Sequence, residues 1–136
     1  HTLFLVSCAA EVWLMQRPFH YTLGFIALAF AIGAQALRYW AISALGARWN
    51  VRIIVVPHAP IITNGPYGFM RHPNYVAVLV EMVAIPLIHG AWLTAIVFSV
   101  LNAFVLAARI THEEHALGPA YAAKFRGRPR LVPRWP

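Results

Sequence analysis

Two short stretches of this sequence carry the side chains that can do chemistry. The first is Asn64–Tyr75, NGPYGFMRHPNY, which sets Arg71, His72, Pro73, Asn74 and Tyr75 in a row just before an apolar run. Pro73 donates no backbone hydrogen bond and suits the first turn of a helix, so a helix is expected to begin here. Helix N-termini expose unpaired N–H groups and the positive end of the dipole, which suit a carboxylate. His72 and Tyr75 would flank that end with polar and aromatic surface. A helix start dressed with interfacial aromatics has the same composition, and His-Pro-x-Tyr alone does not decide between the two.

The second stretch is ARITHEEHAL, residues 108–117. Arg109 and Glu113 lie four apart and share one helical face. Glu114 follows, and His112 and His115 bracket the pair. The chain has 4 acidic residues, Glu11, Glu81, Glu113 and Glu114, and two of them are adjacent here. The plain alternative is a solvated helix end with an ion pair contributing roughly 0.2–0.5 kcal/mol. No metal site is expected, because His112 and His115 do not have the spacing of the H-E-x-x-H zinc pattern. Glu81 stands apart from both stretches, in the middle of an apolar segment. A carboxylate inside a membrane is costly and marks either function or a packing contact, here to Arg38, Asn102 or Gln35.

These residues need elements to position them, and composition says which kind. Of 136 residues 60% are hydrophobic and 11% charged, with a mean hydropathy of +0.63. Soluble domains run at about 45–50% apolar and about 25% charged. The expected architecture is a single all-α, polytopic membrane domain over 1–136, of about four helices. Its apolar segments are 2–15, 21–47, 75–88 and 91–110, and His89-Gly90 joins the last two as a helical hairpin. The second is long enough for a bilayer, which takes about 20 residues, and the third is short. Gly24, Ala29, Gly33 and Ala36 offer small surfaces for helix contact, and Pro86 should kink or end the third helix. The connection around 48–64 contains β-branched residues and prolines and reads as extended, lying at the interface or over a cavity. Cys8, the single cysteine, excludes an internal disulfide. Glu11 and Gln16 interrupt any signal-peptide pattern in 1–16. The chain starts at His1 rather than Met, so a trimmed N-terminus with further helices before it is expected.

The formal net charge is +7, and it is unevenly placed. Arg48, Arg52 and Arg71 fall in the connection before the third segment, and Arg109 and the basic tail (Lys124, Arg126, Arg128, Arg130, Arg134) follow the fourth. Arg17 lies on the other side. The positive-inside rule puts the 48–74 connection and the 109–136 tail together in the cytoplasm, so a shared site becomes possible there. In so apolar a chain the basic tail is read as binding the lipid bilayer rather than nucleic acid.

GPYGFMRHPNY, then a short helical hairpin, then R-x-x-x-E-E-x-x-L (Arg109, Glu113, Glu114, Leu117), Tyr121 and VPRWP together resemble the isoprenylcysteine carboxyl methyltransferase superfamily. The resemblance covers about 48–136 and implies a membrane enzyme using S-adenosylmethionine on a lipophilic small-molecule acceptor. By position it implies cofactor contacts from Arg52, the Ala59-Pro60-Ile61-Ile62 backbone, Tyr67, His72, Pro73, Asn74, Tyr75 and Glu113. Arg109 would reach the acceptor. The family's histidine near Ala59 is absent, although His58 is adjacent, and Glu81 is not a general feature of the prenylcysteine enzymes. VRIIVVPHAP is more similar to bacterial relatives that O-methylate alkylresorcinols and alkylpyrones, so a long-chain phenol, enol or acid is the expected acceptor.

The residue types suit that chemistry. Positioning for in-line displacement supplies roughly 7–11 kcal/mol of barrier reduction. Arg109 can hold a carboxylate by a two-pronged contact, whereas a phenol or enol needs a base, for which Glu81, Glu114 or His112 are candidates. Tyr67 and Tyr75 suit a sulfonium by cation–π attraction. Three other readings share parts of the pattern. They are a sterol-reductase-like NADPH enzyme, which also carries HPNY, a phospholipid N-methyltransferase, and a non-catalytic helical membrane subunit. The Glu113-Glu114 pair with Leu117, and Val76-Ala77 after HPNY, favour the methyltransferase over the reductase.

Overall fold

The computed structural model describes residues 2–48 and 61–133. Within them the chain forms four α-helices, α1 (Thr2–Leu14), α2 (Tyr21–Leu45), α3 (Pro73–Ile88) and α4 (Trp92–Lys124), and two single 3₁₀ turns, Gly46–Arg48 and Gly65–Gly68. No strand occurs among the described residues. Most of the expected extended segment, residues 49–60, lies outside them.

Small residues set how closely the helices approach. Gly24, Ala27, Ala34 and Ala41 are the buried positions of α2. Ala27, Ala34 and Ala41 recur every seven residues, so they form one seam. Ala77 and Ala84 are buried on α3, which packs along α2. The two helices run antiparallel. A Cβ on Gly24 would sit 2.9 Å from the carbonyl oxygen of Ile88, and Arg38 further along α2 binds Glu81. Pro86 deprives α3 of one backbone bond near its end, and the helix stops at Ile88. Gly90, at φ 73°, then turns the chain directly into α4.

The start of α4 has no side-chain cap of its own. It takes one from α1: Glu11 accepts from the backbone N–H groups of Leu93 (3.1 Å) and Thr94 (2.7 Å). Arg17 closes on the same carboxylate at 3.2 Å and lies over the Trp92 ring. Phe4 meets Phe98 edge-on, which sets α1 antiparallel to α4. Sequence reading left Glu11 without a role, because its partners are backbone donors 82 and 83 residues away.

Two helices are long and apolar enough to cross a membrane, α2 with 25 residues and α4 with 33; α1 and α3 are shorter. At 1.5 Å per residue α2 spans about 38 Å, against about 30 Å of hydrocarbon. Of the four membrane helices expected, two therefore have the length. The outward faces are strongly apolar: Phe25, Phe30, Ile32, Leu101 and Phe104 are all exposed, Phe104 by 74%. An exposed apolar surface of that extent fits lipid rather than water.

α4 outruns its expected end at Ile110, and it does so with a break. Gly118 has φ 75° and ψ −170°, a region open essentially to glycine alone. Pro119 follows and cannot donate back into the preceding turn. The last turn is thereby redirected toward the C-terminal end of α2. There Tyr121 and Phe125 pack with Ala41 and Tyr67, with Ile61, Ile62 and Leu117 around them.

Candidate active site

The polar end of the bundle is assembled from the loop before α3, the start of α3, the second half of α4 and the tail after it. Gly65 begins the assembly. Its φ is 58°, and a Cβ there would lie 3.2 Å from both the Ala44 Cβ and the Trp40 Nε1. Only glycine lets the 3₁₀ turn sit so tightly on α2, and that turn buries Tyr67. Burial pushes the Tyr67 hydroxyl above its ordinary pKa, and the nearby charge of Glu113 adds in the same direction.

His72 is the N-cap of α3 and Pro73 its first residue, as the sequence predicts. His72 is buried, with its ring stacked on Tyr75 at 5.4 Å between centroids and 6.5 Å from Tyr121. Its Nε2 lies 3.1 Å from Glu114 Oε1. An ionised carboxylate can only accept, so Nε2 must carry the proton of that bond. Arg71 Nη1 donates to the same oxygen at 3.3 Å. Arg130 reaches Glu114 Oε2 with Nε at 3.0 Å and Nη2 at 2.7 Å. One face of Tyr75 meets the Arg109 guanidinium, 5.7 Å from the ring centroid, and its hydroxyl donates to Glu113 Oε2 at 2.5 Å. Asn74 Oδ1 is buried without a hydrogen-bond partner.

The tail completes this end. Arg71 N donates to Pro129 O and His72 N to Arg130 O, each at 3.0 Å. Arg71 Nε donates to Arg128 O at 2.7 Å, and Arg128 Nη1 to Tyr67 O at 3.0 Å. Leu131 packs beside Tyr75, Leu106 and Ile110.

This arrangement of His72, Tyr75, Arg109 and the paired glutamates coincides with a family match: residues 26–119 fit the model of the isoprenylcysteine carboxyl methyltransferase (ICMT) family. The chain belongs to the ICMT family. Over 118 residues, 86% of this chain and 69% of the relative, it is 44% identical to the uncharacterized protein YpbQ of Bacillus subtilis. It is 30% identical over 118 residues to an uncharacterized protein of Haemophilus influenzae, covering 86% of this chain and 68% of that one. It is 29% identical over 108 residues to the Protein-S-isoprenylcysteine O-methyltransferase B of Arabidopsis thaliana, covering 78% of this chain and 55% of the plant protein. No solved structure matches the chain. Membership makes this a family of methyltransferases and, with the apolar helices, supports a membrane protein.

Of the residues singled out from sequence, Tyr67, His72, Tyr75, Arg109, Glu113 and Glu114 come together at this end, with Pro73 and Asn74 beside them and Ile61 and Ile62 against Tyr67 and Tyr121. Arg52, Ala59 and Pro60 lie outside the described residues. Glu81 does not join the cluster. It forms an ion pair with Arg38 across α2 and α3, one contact being 3.1 Å, so the packing alternative is the one the geometry realises. Glu114, another of the candidate bases, is engaged within the cluster. An ionised carboxylate offers about four acceptor sites, and Arg71, His72 and the two Arg130 donors occupy them. The tail is not wholly available to lipid either, since Arg128 donates to the Tyr67 carbonyl and Arg130, although exposed, donates to Glu114, while Lys124 and Arg126 are exposed. The sequence reading placed Arg71 in the chemistry-bearing stretch and Arg128 and Arg130 in a lipid-binding tail, but gave none of them a partner at this site, and it gave Phe125 no role. The Gly118-Pro119 pair was the one local sign that the tail doubles back.

Proposed function

We propose that this chain is an integral membrane methyltransferase that transfers a methyl group from S-adenosylmethionine to an oxygen of a lipophilic acceptor at the cytoplasmic membrane face. The observation that carries the reading is the row Arg109–Tyr75–Glu113 beside buried His72. A cation, an aromatic face and a carboxylate stand together where the polar end meets the apolar helices. The residues fit the cofactor. The rings of Tyr67, Tyr75 and Tyr121 suit a sulfonium, and the unpartnered Asn74 Oδ1 can accept from an N–H. S-adenosylmethionine, when bound, supplies an electrophilic methyl whose bond to sulfur breaks as its bond to the acceptor oxygen forms, leaving a neutral thioether.

In this reading Tyr67, His72, Tyr75 and Glu113, with Pro73, Asn74, Ile61 and Ile62, hold the cofactor; Arg52, Ala59 and Pro60 join them by resemblance. Arg109 orients the acceptor oxygen. A carboxylate acceptor arrives without a proton to lose and needs no base, which agrees with Glu81 and Glu114 being committed elsewhere. A phenol or enol would release its proton to exposed His112 or to water. The acceptor we favour is a long-chain acid, phenol or enol of the alkylresorcinol or alkylpyrone kind. The support is the similarity of VRIIVVPHAP to bacterial relatives that O-methylate such acceptors, with only 29% identity to the plant prenylcysteine enzyme. Arg71, Lys124, Arg126, Arg128 and Arg130 all gather at the site end, whereas Arg17 at the far end is paired with Glu11; this supports the cytoplasmic orientation.

Labelled S-adenosylmethionine offered with farnesylcysteine, an alkylresorcinol, an alkylpyrone, a fatty acid and phosphatidylethanolamine tests the reading by product mass. Label on the oxygen of the resorcinol, pyrone or acid is expected. Label on farnesylcysteine or on the phospholipid nitrogen reassigns the acceptor, and no affinity for S-adenosylmethionine sinks the proposal. Arg109→Ala should keep cofactor binding and lose at least 100-fold in turnover; intact turnover would remove Arg109 from the acceptor.

A further inference from the structure

Resting on that reading, we propose that residues 125–131, FRGRPRL, form a strap clasped across the site end by Glu114. Glu114 and Arg130 are then positioning residues that set cofactor affinity through His72, not carriers of the transferred proton.

The strap is tied at every level. Phe125 is buried to 1% exposure beside Tyr121, and Leu131 packs against the Tyr75 cluster. Between these anchors, the carbonyls of Pro129 and Arg130 accept the backbone N–H groups of Arg71 and His72, the two residues that lead into α3. The Arg128 carbonyl accepts from the Arg71 side chain, and the Arg128 side chain donates to the Tyr67 carbonyl. Gly127, at φ 81°, permits the turn.

The circuit closes on one carboxylate. Glu114 Oε2 takes Arg130 from the strap, while Oε1 takes Arg71 and His72 from the start of α3. One anion therefore stands among two guanidiniums and an imidazole, and its charge lets them lie close together. Removing that charge leaves Arg71 and Arg130 facing each other and takes away the acceptor that orients the His72 ring. The apolar anchors remain, so the strap loosens rather than unfolds. Arg130 is 55% exposed at its side chain, so water and salt screen its part of the clasp and the effect of losing it is partial.

A proton carrier and a clasp predict opposite kinetics. The test uses the full chain in lipid nanodiscs, with S-adenosylmethionine affinity measured by calorimetry and initial rates measured at saturating acceptor. Glu114→Gln and Arg130→Gln are each expected to raise the cofactor Kd about five- to twentyfold. The rate at saturating cofactor should fall less than threefold. The double variant should be no worse than the poorer single one, because both break the same link, and Arg130→Lys should recover part of the loss. Trypsin should cut after Arg126 faster in both variants than in the parent. A 100-fold fall in saturated rate at unchanged Kd would make Glu114 the base and overturn the proposal. Multiplying effects in the double variant, or equal cleavage after Arg126 in variants and parent, would overturn it as well. If Glu114→Gln fails to fold, exposed Arg130→Gln carries the test alone. If the parent chain binds no S-adenosylmethionine, the methyltransferase reading fails, while the cleavage rates still judge the clasp.

Discussion

Glu81 offers the sharpest test of whether a carboxylate inside this membrane domain serves structure or chemistry. It pairs with Arg38 across the α2–α3 seam, where the flanking residues Leu37, Val80 and Met82 are apolar. The side chains of Arg38 and Glu81 are 26% and 14% exposed. Glu81→Ala would leave the Arg38 guanidinium without its counter-ion. Removing one partner of a buried pair costs about 3–5 kcal/mol, and an arginine at the centre of a membrane helix costs about 2.5–3.5 kcal/mol on insertion scales. The two estimates overlap near 3 kcal/mol, roughly a hundredfold in the folding equilibrium. Replacing both residues, Arg38→Met with Glu81→Leu, removes the charge together with its partner and should regain most of that loss. Unfolding in mixed micelles with increasing dodecyl sulfate measures the stability, and methyl transfer measures function. The expected outcome is that the double replacement restores both. A double variant that is stable but lacks turnover would refute the packing role and return Glu81 to the list of bases.

Three further outcomes follow from the geometry. Glu11→Ala uncaps α4 and should cost about 1–2 kcal/mol of stability while leaving cofactor affinity within twofold, since Glu11 lies at the opposite end from His72; thermal unfolding and binding assays check the two halves. Gly118→Ala has open space for its methyl group, so its cost is backbone strain alone, about 1–3 kcal/mol, and near-ultraviolet dichroism should show Tyr121 losing its fixed environment. Tyr67 has a folded-state pKa above its unfolded value because it is buried. Its contribution to stability is therefore complete below the ordinary tyrosine value of about 10 and is lost as the pH rises beyond it. Tyr67→Phe should flatten the fall in stability between pH 9 and 11; an unchanged slope would mean that the hydroxyl ionises freely.

Much of this molecule is legible from local pattern. Apolar runs long enough for helices, Pro73 at the first turn of α3 and His89-Gly90 between α3 and α4 depend on neighbours in sequence, and the helices start close to where those signals stand, although α4 runs on past Ile110 to Lys124. The meeting of NGPYGFMRHPNY with ARITHEEHAL at one end also follows, because two antiparallel crossings bring the start of α3 beside the second half of α4. The partner of each charge is a different matter. Glu11, Glu81 and Glu114 are carboxylates whose sequence neighbours do not reveal their roles, yet one caps a helix, one pairs across a seam and one gathers donors from three residues. Sequence spacing supports an Arg109–Glu113 face, but it cannot show Tyr75 standing at that face. It also cannot show that the tail returns, because that depends on Gly118 adopting a backbone region that glycine permits but does not require. The sequence by itself thus determined the helices, their order and the end at which polar groups collect, since these rest on the apolar runs and chain connectivity. Only the tertiary structure decided which charges neutralise one another, because Coulomb and hydrogen-bond energies fall off with distance in space and take no account of distance along the chain.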